Sequence, residues 1–295
     1  MMGGSSTKKN MFSRLVPLLT SLARRGLAGW FIAIGLIMVI AIVVMTMLAP
    51  WISPHDPSAI EMGPLLSPPS SQFPFGTNKL GQDMLSRVIS GGGIMIQVAL
   101  LSVVICMAGG IPIGLLSSYT GGILDRILCL IMDSIYAFPG LVLAIAIALM
   151  LGRGVVNMAL SIAVVYVPSY FRVIRSQVLS IKEMAYVEAA NAIGAKGHTI
   201  LSRYILPNVI PSIIVVATVN FADAILTAAG LTFIGLGVSV DIPDWGYDLT
   251  VGRTLLTTGV WWVIAFPGIM VVLLALGFTL MGEGLSELWN PRLEQ

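Results

Sequence analysis

Six stretches of the chain are predominantly apolar: 27–49, 94–117, 127–150, 155–175, 208–235 and 260–282. Each is long enough for a helix of about 20 residues, which is what crossing a ~30 Å hydrocarbon layer requires. The fourth is the weakest, because Pro168 and Arg172 interrupt its end. Pro112, Pro139, Pro211 and Pro267 fall inside the others and are tolerated where neighbouring helices re-satisfy the backbone. Gly110 and Gly114 form a GxxxG pair, a weak signal for close helix approach. The pattern predicts an all-α integral membrane protein with six transmembrane helices. Its segments are a tail over 1–26, the first helix over 27–49, a loop over 50–93, a core over 94–282 with a polar segment at 176–207, and a tail over 283–295.

Composition agrees. The chain of 295 residues is 57% hydrophobic and 10% charged, with a mean hydropathy of +0.94. A soluble domain carries about 25% charged residues, so the bilayer is the solvent that suits this chain. The formal net charge of +2 gives no global basic patch and no argument for nucleic acid. Cys106 and Cys129 sit inside apolar runs and read as small core residues. With only His55 and His198 present, far apart, no histidine metal cluster is available, and no metal site is expected. The first apolar run follows Arg24 and Arg25 but is longer than the 7–15 residues of a signal core, so it reads as a helix that stays in place. Gly3–Thr7 are expected to be disordered.

Lysine and arginine counts set the orientation. With the N-terminus inside, Lys8, Lys9, Arg14, Arg24, Arg25, Arg126, Arg172, Arg175, Lys182, Lys196, Arg203 and Arg292 lie on the inner side, and Lys79, Arg87, Arg153 and Arg253 on the outer. Both termini are therefore expected in the cytoplasm. The outer segment 50–93 is rich in proline and serine and reads as an irregular loop without a core. The inner segment EMAYVEAANAIGAKGHTILSRYILP (183–207) is more informative. Met184–Ile193 has strong helix formers, Gly194 is placed to end that helix and Gly197 to turn the chain, and Pro207 opens the next spanning helix. Ala189, Ala190 and Ile193 are expected on one face, a shallow surface of small residues suited to another protein's groove, because the segment has no core of its own.

Glu188-Ala189-Ala190, Gly194 and Leu206-Pro207 resemble the EAA loop of permease subunits in binding-protein-dependent ABC importers, with Tyr204 where isoleucine is usual. FGTNKLGQDMLSRVISG (75–91), DSIYAFPG (133–140), LTFIGLG (231–237), DWG (244–246), the block at 266–285 and NPRL (290–293) resemble the C-type permease of dipeptide, oligopeptide and nickel importers. The resemblance implies the type I (MetI-like) importer fold. It also implies a heterodimer with a second permease, two ATP-binding subunits that hold ATP and magnesium, an extracytoplasmic solute-binding protein, and a place in the lipid of the cytoplasmic (inner) membrane. Tyr186, Glu188, Ala189, Ala190, Gly194, Ala195, Leu206 and Pro207 would couple to the ATPase. Several positions depart from the family pattern. Asn78 and Gln82 stand where aspartate and arginine are common, Leu130 replaces an arginine, Ala228 replaces a glutamate, and Asp223 is unexpected.

Ionisable residues inside spans face the bundle interior or a water-filled path, so Asp133 and Asp223 are pathway candidates. Asp133 also fits a structural pair with a basic residue on a neighbouring helix, and Asp223 a buried structural hydrogen bond. Glu188 reads either as a solvated charge or as a support for the ATPase interface. The sixteen methionines and Trp30, Trp51, Trp261 and Trp262 are explained by packing and interfacial anchoring. His55 and His198 read as surface residues. Ser90-Gly91-Gly92-Gly93 superficially resembles an ABC signature, but no Gly-Lys dipeptide occurs anywhere, so the phosphate cradle of an ATPase is absent. With no HExxH, no GxSxG and no hydrolytic triad, no catalytic residue and no cofactor bound by this chain are expected. The function implied is ATP-driven peptide import, with nickel or metal-chelate import as the alternative. A proton-driven secondary transporter working through Asp133 or Asp223 is disfavoured by the absence of inverted hydropathy symmetry.

Overall fold

The computed structural model describes residues 26–237 and 242–289. Most of the N-terminal tail, including Gly3–Thr7, and the NPRL block lie outside the described residues. Eleven helices carry the fold: α1 (Leu27–Met47), α2 (Ala49–Ile52), α3 (Met84–Ser90), α4 (Gly92–Thr120), α5 (Gly122–Tyr136), α6 (Gly140–Leu151), α7 (Val155–Lys182), α8 (Ala185–Ala192), α9 (Leu206–Phe233), α10 (Trp245–Leu255) and α11 (Trp262–Leu288). A short turn at Gly197–Thr199 and a wide π turn at Ile200–Ile205 lead into α9. Five helical segments are long and apolar enough to cross a membrane, and α5 with α6 makes a sixth span if the bent pair counts as one.

That pair corrects one expectation. The third span is not continuous: α5 and α6 meet at 91° across Ala137–Pro139. Pro139 has no N–H to donate and disfavours helical backbone at Phe138 before it, so the helix stops and restarts. The fourth span, weakest in sequence, instead runs unbroken through Pro168 to Lys182.

Close crossings depend on glycine. A Cβ on Gly110 would lie 2.5 Å from Cβ of Tyr170, and one on Gly114 would lie 3.0 Å from Cβ of Ile174, so the GxxxG pair is where α4 and α7 meet. Gly35, Gly277 and Gly284 perform the same service between α1 and α11. The largest apolar core draws Met95, Val98, Ile162, Ile225, Trp245 and Leu274 from α4, α7, α9, α10 and α11. Ala28 touches Gly284, while Pro211 and Trp289 line one cleft, so the described ends of the chain share the end of the bundle that carries the 183–205 segment.

The loop expected over 50–93 is also corrected. It folds tightly against the α9–α11 connection, with Phe73, Thr77, Asn78, Gln82, Asp83, Met84, Ser86 and Arg87 all buried. Trp262 Nε1 donates to the Thr77 carbonyl (3.0 Å) and Trp245 Nε1 to the Val88 carbonyl (2.7 Å). Met84, Val251, Val260, Trp262 and Val263 form an apolar centre beneath it. Most of the buried loop residues are polar, and hydrogen bonding allows their burial. That is why hydropathy made the segment read as irregular.

Candidate functional site

Two surfaces carry the candidate residues: the 183–207 segment and the face formed by α5, α6, α7 and α9.

In the first, α8 is one short helix with an apolar floor. Val187 is buried against Ile174, Val178, Ile181, Ile200, Ile205, Val209 and Ile213, and Ala190, on the same side of α8, is buried too. Ala190 therefore points inward, away from the exposed Ala189 and from Ile193, which is 84% exposed. The shared face expected for these three residues is corrected, as is the absence of a core: the segment packs on the ends of α7 and α9. Helical spacing sets which residues share a side, but the floor decides which side is free. The outward side carries Tyr186, Glu188, Ala189 and Ile193.

The end of α8 is built by glycine. Gly194 adopts φ 81°, donating to the Asn191 carbonyl (2.9 Å), while Ala195 donates to the Ala190 carbonyl (3.0 Å). These are the paired bonds of a Schellman terminator, with Ala195 and Ala190 as its apolar contact. Lys182 Nζ donates to the Tyr119 carbonyl (3.1 Å), and Gly197 packs on the Tyr119 ring, which pins the segment to the end of α4. Asn208 Nδ2 donates to the Tyr186 hydroxyl (3.2 Å). Leu206 joins the floor and Pro207, in the first turn of α9, is exposed. Just above, Arg175 clamps Asp125 through two bonds of 2.7 Å, and Ser117 donates to the same carboxylate (2.6 Å), so α4, α5 and α7 are tied together. α8 is thus tied to the ends of α4, α7 and α9.

On the second surface, Asp133 makes an ion pair with Arg172 (2.8 Å), and Tyr136 lies over the guanidinium with its centroid 4.1 Å away. Both charged side chains remain substantially exposed, at 61% and 45%. Tyr166 shares a hydrogen bond of 2.9 Å with Thr227. Asp223, one turn from Thr227, is half-buried and has no hydrogen-bond partner among the described residues. Ala228 faces the other way, 1% exposed in the main core, so Asp223 does not stand in for a glutamate there.

The opposite end holds charges that hydropathy gave no reason to single out. Arg87, at the end of α3, is buried with Nε 2.9 Å from Asp248 of α10, and its Nη1 donates to Gln82 (3.1 Å) and the Pro57 carbonyl (3.2 Å). Asn78 donates to Gln82 (2.7 Å), so the two departures from the family pattern are bonded to each other: a neutral amide pair occupies both positions together. Asp83 caps α3 and Asp244 caps α10, each accepting two backbone N–H bonds. Burial pushes the Asp244 carboxyl up to about 6, with the nearby Asp248 charge adding to it. Burial also raises Asp248, against the pull of Arg87. Among the described residues no group of three or more metal-ligating side chains gathers.

Residues 110–295 match the family described as the binding-protein-dependent transport system inner membrane component. Residues 32–72 match the N-terminal transmembrane domain of oligopeptide transport permease C. The chain belongs to this family of ABC importer permeases. Among its relatives, a di/tripeptide transport system permease protein of Pseudomonas aeruginosa is 38% identical over 88% of both chains. A probable D,D-dipeptide transport system permease of Escherichia coli is 38% identical over 87% of this chain and 86% of its own. A glutathione transport system permease of Pectobacterium atrosepticum is 34% identical over 89% and 87%. In structure, the permease is similar to a chain of the inward-facing MetNI methionine ABC transporter, with a TM-score of 0.56 at 19% identity, over 68% of this chain and 94% of that one. At that identity the likeness speaks for the fold, and the fold is the type I importer permease expected from sequence.

Proposed function

We propose that this permease is one half of the membrane channel of an ATP-driven peptide importer. It would pair with a second permease, dock two ATP-binding subunits that carry ATP and magnesium, and receive cargo from an extracytoplasmic solute-binding protein. Both termini and α8 would face the cytoplasm, in the cytoplasmic (inner) membrane. The observation that carries the reading is α8: a helix pinned to its own floor through Val187 and Ala190 that leaves Tyr186, Glu188, Ala189 and Ile193 turned outward. An isolated apolar side chain such as Ile193 at the tip of a polar segment fits a partner's cleft. Gly194, Ala195 and Leu206 hold the helix in place, and Pro207 opens α9 beside it. ATP-driven closure of the ATPase pair would move α8, and through Lys182, Tyr119 and the Arg175–Asp125 clamp it would tilt α4, α5 and α7. The permease then contributes different contacts to inward-open and outward-open states, and this difference is its work. No covalent chemistry takes place in this chain.

The three relatives above are named for di/tripeptides, D,D-dipeptides and glutathione, which favours peptide cargo over nickel. Reconstituted with its partners in liposomes, the permease should import dialanine only when internal ATP is hydrolysed. Accumulation driven by a pH gradient without ATP would overturn the proposal in favour of a secondary transporter.

A further inference from the structure

Asp223 occupies a place that lipid does not tolerate. It lies 17 residues from the start of α9 and ten from its end, about 25 Å and 15 Å along the axis. Val219 and Leu226, one turn to either side of it, are exposed, and Gly230, one turn further, packs on Leu141 of α6. The carboxylate therefore sits in an outward stripe at mid-depth, bracketed by apolar side chains. A carboxylate there must meet water or protein.

The neighbouring backbone leads to the same conclusion. The break between α5 and α6 leaves the carbonyls of Tyr136, Ala137 and Phe138 without helical partners, along with the amides of Gly140, Leu141 and Val142. Ala137, Phe138 and Pro139 are exposed. Gly140 lies against Val165, ten residues into α7, so the break is also deep within the span. Irregular backbone at that depth persists only where it is covered by protein or lines a water-filled cavity. Tyr166 links the two features: it follows Val165, which lies against Gly140 at the break, and its hydroxyl meets Thr227 one turn from Asp223. Nearer the α8 end, the exposed Arg172–Asp133 pair adds a second polar group to α5 and α7.

We propose that Asp223, with the Tyr166 and Thr227 hydroxyls beside it, forms a binding subsite for the α-ammonium group of a peptide in transit. The inference rests on the peptide-import reading above. An unpaired carboxylate with a hydrogen-bonded pair of hydroxyls one turn away suits a compact cation with three N–H donors. No cation of this chain neutralises Asp223 among the described residues, so the charge is available to cargo. The subsite is a charge filter at the transport step, separate from whatever the binding protein selects.

The test uses the complete complex in liposomes, with dialanine and N-acetyl-dialanine each at saturating concentration over the binding protein. ATP hydrolysis stimulated by the loaded binding protein is read in parallel. Wild type should import dialanine faster. Asp223→Asn should slow dialanine about tenfold or more, leave N-acetyl-dialanine unchanged, and preserve the stimulated ATPase, so that peptide moved per ATP falls. Asp223→Glu should keep most of the preference. An unaltered preference in Asp223→Asn overturns the subsite. So does a parallel fall of both peptides with the ATPase, or loss of a co-purifying subunit, either of which marks a structural residue. Wild type that imports neither peptide overturns the peptide reading itself and the subsite with it.

Discussion

Asp244 accepts two backbone N–H bonds at the start of α10, yet it is 3% exposed and sits beside a second buried carboxylate, Asp248. Its carboxyl is raised to about 6 in the fold, against 3.8 ordinarily. The folded state therefore holds the proton more tightly than the unfolded chain. The stabilisation this gives is complete below the ordinary value and is lost as pH rises through about 6, on the order of 3 kcal/mol in total. Asparagine keeps the capping oxygen and removes the charge. The Asp244→Asn permease complex should be more heat-stable than wild type at pH 7.5, by thermal unfolding. The gap should close towards pH 4.5, where wild-type Asp244 is protonated. A gap that widens on acidification would show that the buried charge is stabilised by contacts beyond those described. Arg87 and Asp248 obey a different rule. Each is buried with the other as its neutralising partner, so losing one leaves an uncompensated charge.

At the scale of elements, α8 depends on a backbone device and a surface device that can be separated. Gly194 stands at φ 81°, where any side chain is strained, and alanine there should cost about 1 kcal/mol and loosen the Schellman turn. Ile193, next to it, is almost fully exposed, so Ile193→Asp should change stability by no more than about 0.5 kcal/mol. If α8 is the coupling element, Ile193→Asp should nevertheless abolish co-purification of the ATPase with an unchanged permease melting temperature; Gly194→Ala should weaken both. Retained co-purification in Ile193→Asp would mean that the partner engages another surface. The short helix and its glycine stop were legible in the sequence because propensity and positive φ are local properties. Which of Ala189, Ala190 and Ile193 faces outward was not, because that depends on the floor of Ile174, Val178 and Ile205, brought in from other helices. The α5–α6 break was half legible: Pro139 was visible, but nothing nearby in the sequence says that this proline ends its helix while Pro168 does not. The loop over 50–93 was illegible, since the burial of Asn78, Gln82, Asp83 and Arg87 follows a hydrogen-bond network with no period in the chain.

For the whole molecule, the apolar runs and the GxxxG crossing of α4 and α7 were enough to specify a membrane bundle, because lipid leaves the backbone few alternatives. The two ends of that bundle differ in kind. One carries the pinned α8 with Lys182, Arg175 and Arg172; the other is a cap of buried polar residues closed by Trp245 and Trp262. By the positive-inside rule, the excess of lysine and arginine at the α8 end predicts that this end faces the cytoplasm. The placement can be checked by labelling. Cys106 is buried, so replacing Cys129 by serine leaves a quiet background. A cysteine at Leu65, exposed in the cap loop, and one at Glu188, exposed on α8, then report the two sides. A membrane-impermeant maleimide added to intact spheroplasts should label Leu65→Cys and spare Glu188→Cys until the membrane is opened. The reverse pattern would put α8 outside, out of reach of any ATPase, and with it the coupling role of Tyr186, Glu188 and Ile193 would fall.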